Sequence, residues 1–92
     1  MKSFLKGASD ELAKIFPELS PAQIEVAMMY SSGMSVDDIS THRGTSAVNT
    51  RKLLRGCVST MNISSLNSLS GTVQSRLSIF ILMLVSRLDK KN

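Results

Sequence analysis

Tryptophan is absent, cysteine occurs once, and aromatic side chains make up 4% of the 92 residues. Phe4, Phe16, Phe80 and Tyr30 are the complete aromatic set. A β-sandwich or barrel draws on aromatic and β-branched side chains. Small helical domains instead fill interhelical space with Leu, Ile and Met, and six methionines are present. The shortage of aromatics therefore favours an all-α fold. The lone Cys57 excludes an internal disulfide and a cysteine-rich metal site, and it suits a reducing cytoplasm. His42 is the single histidine, no Gly-rich phosphate loop occurs, and no metal-ligand spacing exists. Catalysis needs acids, bases or nucleophiles converging in a pocket. The sequence thus predicts no enzyme, no cofactor and no metal.

Long hydrophobic runs are also missing. The opening Met1–Leu12 carries lysines but no apolar segment, which argues against a secretion signal. Ile79–Val85 is an apolar run of seven bounded by Ser78, Ser86 and Arg87. A membrane-spanning helix needs about 20 apolar residues, so this run reads as a buried helix or a protein interface rather than a membrane segment. A chain of this length has room for one modest core.

Carboxylates are absent from residues 39–88, where Arg43, Arg51, Lys52, Arg55, Arg76 and Arg87 make a local charge of +6. Residues 1–38 carry three lysines and six acids, a local charge of −3, and the whole chain is +4. Fifty residues without one acid point to a polyanionic partner.

What is present is a repeated helix-start pattern. In Leu19-Ser20-Pro21-Ala22-Gln23-Ile24, Ser20 is placed to cap a helix and Pro21 fits its first position. Gln23 completes a capping box, and Leu19 with Ile24 forms a hydrophobic staple. That helix should stop at Gly33. Met34-Ser35-Val36-Asp37-Asp38-Ile39 repeats the pattern, with Ser35 as cap and a short helix reaching His42 or Arg43 before Gly44. Ser46 then caps a third helix that should reach Met61. Two helices joined by a short Gly-containing turn are a helix-turn-helix.

At about 100° per residue, Ala47, Thr50, Leu54, Cys57, Val58 and Met61 gather on the core side of the third helix. Val48, Lys52, Arg55, Gly56 and Ser59 lie opposite, with Asn49 and Arg51 on the flanks. An outward face with Asn, Lys and two Arg, and no acid, suits double-stranded DNA. Arg and Lys pair with guanine, Asn pairs with adenine, and the cations also meet phosphates. Asn49, Arg51, Lys52, Arg55 and Ser59 are the candidate DNA-binding residues, with Gly56 and Ser59 allowing close approach. After Asn62, a fourth helix should begin near Leu66, with Gly71 placed to break or bend it. Leu66, Leu69, Val73, Leu77, Phe80 and Leu84 follow 3-and-4 spacing and are the expected dimer surface. Ser9-Asp10-Glu11-Leu12 starts a short extra helix.

On these placements, residues 19–69 resemble, without gaps, the LuxR-type DNA-binding domain also found in GerE, FixJ and NarL proteins. Leu19-Ser20-Pro21 with Glu25-Val26 matches the family's opening block, Gly33-Met34-Ser35 and Ile39 its second helix, and Gly44 and Ser46 its turn. The resemblance implies a four-helix fold with an N-terminal helical segment at 1–18, the DNA-binding domain at 19–70, and an apolar helix at 71–92 for dimerisation. It implies a bacterial transcription regulator, GerE-like in lacking a receiver domain, acting as a homodimer in the cytoplasm on the nucleoid. Arg51, Lys52 and Arg55, with Asn49 beside them, fall on the family's DNA-contacting positions. Departures are Arg43 and Thr45 at apolar sites, Asn49-Thr50 for a Thr-Val pair, Leu53 for a His, and Gly56 and Thr60 where cations are usual. They favour a second expectation, a domain of this fold that pairs with another transcription regulator and binds little DNA itself.

Overall fold

A computed structural model describes residues 6–90. All regular structure among them is helical: a 3-10 turn at Lys6–Ala8, then α1 (Ser9–Ile15), α2 (Pro21–Ser31), α3 (Val36–Arg43), α4 (Ala47–Thr60) and α5 (Leu66–Lys90). The helix starts follow the local chemistry expected of them. The Ser20 hydroxyl accepts from the Gln23 amide at 3.2 Å while Gln23 Oε1 accepts from the Ser20 amide at 2.9 Å, a reciprocal capping box. Ser35 caps α3 by accepting from the Asp38 amide at 3.0 Å, and Ser46 caps α4 by accepting from the Asn49 amide at 3.1 Å. The N-cap of α1, Ala8, makes no side-chain cap bond.

The stops share one geometry. Gly33 (φ 97°) and Gly44 (φ 68°) take the left-handed conformation that a Cβ penalises. Around each, two amides reach back to free carbonyls: Gly33 to Tyr30 and Met34 to Met29, Gly44 to Thr41 and Thr45 to Ser40, at 3.0–3.2 Å. Asn62 (φ 54°) does the same after α4, with Asn62 donating to Ser59 and Ile63 to Val58 at 3.2 Å. This double bond satisfies the orphan carbonyls of a helix end and turns the chain sharply.

The turns fold the helices around one core, centred on α2, which packs against each of the other four. Phe16 from α1's end, Val26 and Met29 of α2, Ile39 of α3, Leu54 of α4, and Leu69 and Val73 of α5 are all nearly inaccessible to solvent. Leu12 joins them, so the segment 1–18 contributes to this core through α1. Ser40 and Thr50, both buried, bond hydroxyl to hydroxyl at 2.7 Å and tie α3 to α4 without stranding a polar atom.

Two expectations need correction. Gly71 does not interrupt α5, which is continuous from Leu66 to Lys90, so the boundary drawn at 70/71 falls inside one helix. The apolar run also belongs to a longer element: Leu66–Asp89 is long and apolar enough to cross a membrane by length and composition. Its first half is nevertheless held in the core by Leu69 and Val73.

Cys57 sits on α4 with no exposed surface, its thiol donating to the Gln23 carbonyl at 3.4 Å. Burial pushes its pKa up to about 11. At pH 8 only about one thiol in a thousand is then ionised. In the native chain Cys57 should react with a chromogenic disulfide reagent at least about a hundredfold more slowly than in denaturant, because thiolate is the attacking species. Equal rates would place the thiol at the surface.

Candidate nucleic-acid interface

Three helices decide which side of α4 faces outward. α4 packs against α2, α3 and α5, and it buries Thr50, Leu54 and Cys57 in doing so. Ala47, Val58 and Met61 are half-buried at the margin of that contact. The opposite side carries Val48, Arg51, Lys52, Arg55 and Ser59, all exposed. Their spacing of 3, 4, 7 and 11 from Val48 makes a single stripe roughly 16 Å long. Asn49 is exposed beside it, and its amide nitrogen donates to the Thr45 hydroxyl at 2.9 Å. The five residues expected from the sequence are therefore brought to one accessible region of one helix.

Electrostatics separates these cations from the others. Arg43 Nε donates to Glu25 Oε1 at 2.7 Å, and the two side chains are only 17% and 14% exposed. This ion pair joins α3 to α2. Replacing Arg43 by Leu should cost ~1 kcal/mol in a denaturant titration, since the half-buried Glu25 loses a charge-assisted bond. Arg43→Leu combined with Glu25→Leu should recover most of it, and an unchanged midpoint in the single variant would show the pair to be idle.

Arg76 is engaged in the same way. Its guanidinium forks onto both Glu18 oxygens at 2.9 and 2.6 Å, donates to the Ile15 carbonyl, and lies 5.4 Å from the centre of the Phe16 ring. The bond to Arg76 holds the Glu18 carboxyl below its ordinary pKa. Arg51, Lys52 and Arg55 have no ion pair or side-chain hydrogen bond among the described residues. Of the six cations in the acid-free stretch, two are spent on internal pairs and three remain together on α4.

Gly56 is a correction. It was expected on the outward face, but a Cβ there would stand 3.0 Å from Gln23 Nε2, so the glycine faces α2. Its small size serves helix packing beside the α2 capping box. Val48 was overlooked as a site residue; at 70% exposed it is the most exposed large apolar side chain of α4. Its outward position on the helical wheel was the signal. An apolar group there can meet a thymine methyl.

The expected dimer residues are also redistributed. Leu69 and Val73 are fully buried in their own chain, and Leu66 and Leu77 pack against the same core. Phe80 is half-buried, which leaves Leu84, 41% exposed, as the one open surface residue of the six. The 3-and-4 spacing combined a stripe that feeds the monomer core with one that emerges from it. Among the described residues no group of three or more His, Cys, Asp or Glu could hold a metal ion. In comparisons with known proteins, the chain matches no family model, no curated protein and no solved structure.

Proposed function

We propose that the chain is a bacterial transcription regulator of the LuxR type that binds a specific double-stranded DNA site as a homodimer through α4. The observation that carries this reading is the acid-free outward stripe of α4, where three cations stand exposed and unpaired while Arg43 and Arg76 are neutralised elsewhere. In this reading α3 and α4 are the helix-turn-helix, and α4 enters a major groove about 12 Å wide. Arg51, Lys52 and Arg55 meet guanine edges and phosphates, Asn49 meets adenine, and Ser59 bonds to the backbone. A two-fold arrangement sets half-sites about one helical turn apart. The protein then resides on the nucleoid.

The test is recovery of DNA fragments bound to the chain in its source cell, followed by gel retardation of those fragments with purified protein. A discrete two-fold motif retarded at nanomolar concentration supports the reading. Recovery of no DNA, with stoichiometric capture of another regulator, would replace it with an interaction module of the same fold.

A further inference from the structure

Thr45 and Asn49 meet across the start of α4. The Asn49 side-chain nitrogen donates to the Thr45 hydroxyl at 2.9 Å, and the Asn49 backbone amide donates to the Ser46 hydroxyl at 3.1 Å. Asn49 is thus tied, by side chain and backbone, to the two residues that precede the helix. Thr45 is itself held. Its amide donates to the Ser40 carbonyl at 3.0 Å, in the turn that ends α3. Ser40 is buried and bonds to Thr50 of α4 at 2.7 Å. Thr45 is half-buried, and a β-branched side chain has few χ1 choices. The hydroxyl that meets Asn49 therefore belongs to the frame joining α3 to α4.

This bond narrows what the exposed Asn49 amide can offer a base. An asparagine amide has two N–H donors and an acceptor oxygen. Free to turn over, it presents two N–H groups to one base, or one N–H beside the oxygen to another. With one N–H directed at Thr45, a donor beside an acceptor is what remains. Adenine shows the complement in the major groove, the N7 acceptor beside the N6 donor. Guanine shows two acceptors, N7 and O6. Against guanine, Asn49 would set its oxygen facing O6, or turn over and abandon Thr45. Either way a hydrogen bond is lost, and a polar group left unpaired in a contact is costly. An amide already oriented also loses less rotational freedom on binding.

We infer that Thr45 is a positioning residue for base reading: by fixing the Asn49 amide, it makes one position of each half-site specific for adenine against guanine. This deepens the proposed function and rests on it, because the orientation counts only where Asn49 reaches a base. Capping of α4 is the competing account of Thr45. Ser46 already supplies that cap, and the Thr45–Asn49 bond joins two side chains and satisfies no backbone group.

Selection by the full chain from random-sequence duplex DNA, then affinities for single-base variants of the selected site, tests the inference. Wild type should prefer adenine over guanine at one position of each half-site by at least about tenfold. Asn49→Ala should erase that preference and leave the other positions unchanged. Thr45→Val keeps the shape, loses the hydroxyl, and should reduce the preference at least about fivefold. Thr45→Ser keeps the hydroxyl and should retain it within about twofold. Melting temperature and salt slope should stay the same throughout, whereas a capping role would move stability and every position together. In the free chain, 15N relaxation should give the Asn49 side-chain nitrogen an order parameter above about 0.6, falling below that value in Thr45→Val.

Thr45→Val that discriminates as wild type does overturns the inference. So do a uniform loss across all positions, an Asn49→Ala variant with an unaltered site, and an Asn49 amide equally mobile in both chains. A wild-type chain that selects no DNA sequence removes the proposed function and the inference together, which sets that failure apart from the others.

Discussion

Replacing Arg51, Lys52 and Arg55 together by alanine is expected to lower affinity for the recovered DNA fragment by about a thousandfold or more. Helix content and self-association should be unchanged. Each side chain that meets a base edge or phosphate contributes about 1–3 kcal/mol, and 1.4 kcal/mol is a factor of ten. All three are exposed and bond to nothing within the described chain, so their removal takes nothing from the fold. Alanine is also a better helix former than any of them. Salt provides a second readout. If all three neutralise phosphates, the slope of log affinity against log salt should shrink by about 2.7, at about 0.9 per contact. If one of them reads a base instead, the slope shrinks less and discrimination relaxes at that position. A variant that retards the fragment with unaltered affinity and slope would place the DNA contact elsewhere on the molecule.

Leu54→Ala is expected to destabilise the chain by ~3–4 kcal/mol. Leu54 is fully buried where α4 meets the core, and truncating such a leucine loses its transfer energy and leaves a cavity. Against a total of about 5–15 kcal/mol for an ordinary domain, this is a large fraction. At roughly 4–8 °C per kcal/mol for a domain of this size, the melting temperature should fall by about 12–32 °C. Val48→Ala, six positions earlier on the same helix, should shift stability by less than about 0.5 kcal/mol, because Val48 is 70% exposed. The contrast separates the two sides of α4 without reference to DNA. Comparable destabilisation by both changes would mean that the outward stripe is packed against something.

The helices were legible in the sequence because their ends are local events. A serine accepting from an amide three residues ahead, or a left-handed glycine after the last turn, involves neighbours along the chain and needs no distant partner. Ser20, Ser35, Ser46, Gly33 and Gly44 all act this way. The outward stripe of α4 was legible for a related reason: helical periodicity brings Lys52, Arg55 and Ser59 to one side whatever the helix packs against.

Residues whose role depends on a neighbouring helix were misread or missed. Gly56 looked outward on the wheel, but it lies near the margin of the buried side, and only the position of α2 shows that Gln23 crosses there. Arg43 looked like a charge misplaced in an apolar site until Glu25, distant in sequence, was brought to 2.7 Å. The apolar positions of α5 could not be divided by spacing alone. Leu69 and Val73 face the core while Leu84 and Leu88 do not, because the body of the molecule ends partway along that helix.

Sequence alone determined that this chain is helical, where α2, α3 and α4 start and stop, and which cations share a side of α4. Each of those outcomes follows from contacts within about one turn of the backbone. Tertiary structure alone decided which charges are neutralised and which apolar side chains are left uncovered. Those outcomes depend on where the other helices lie, and burial and ion pairing are set by distance in space rather than along the chain.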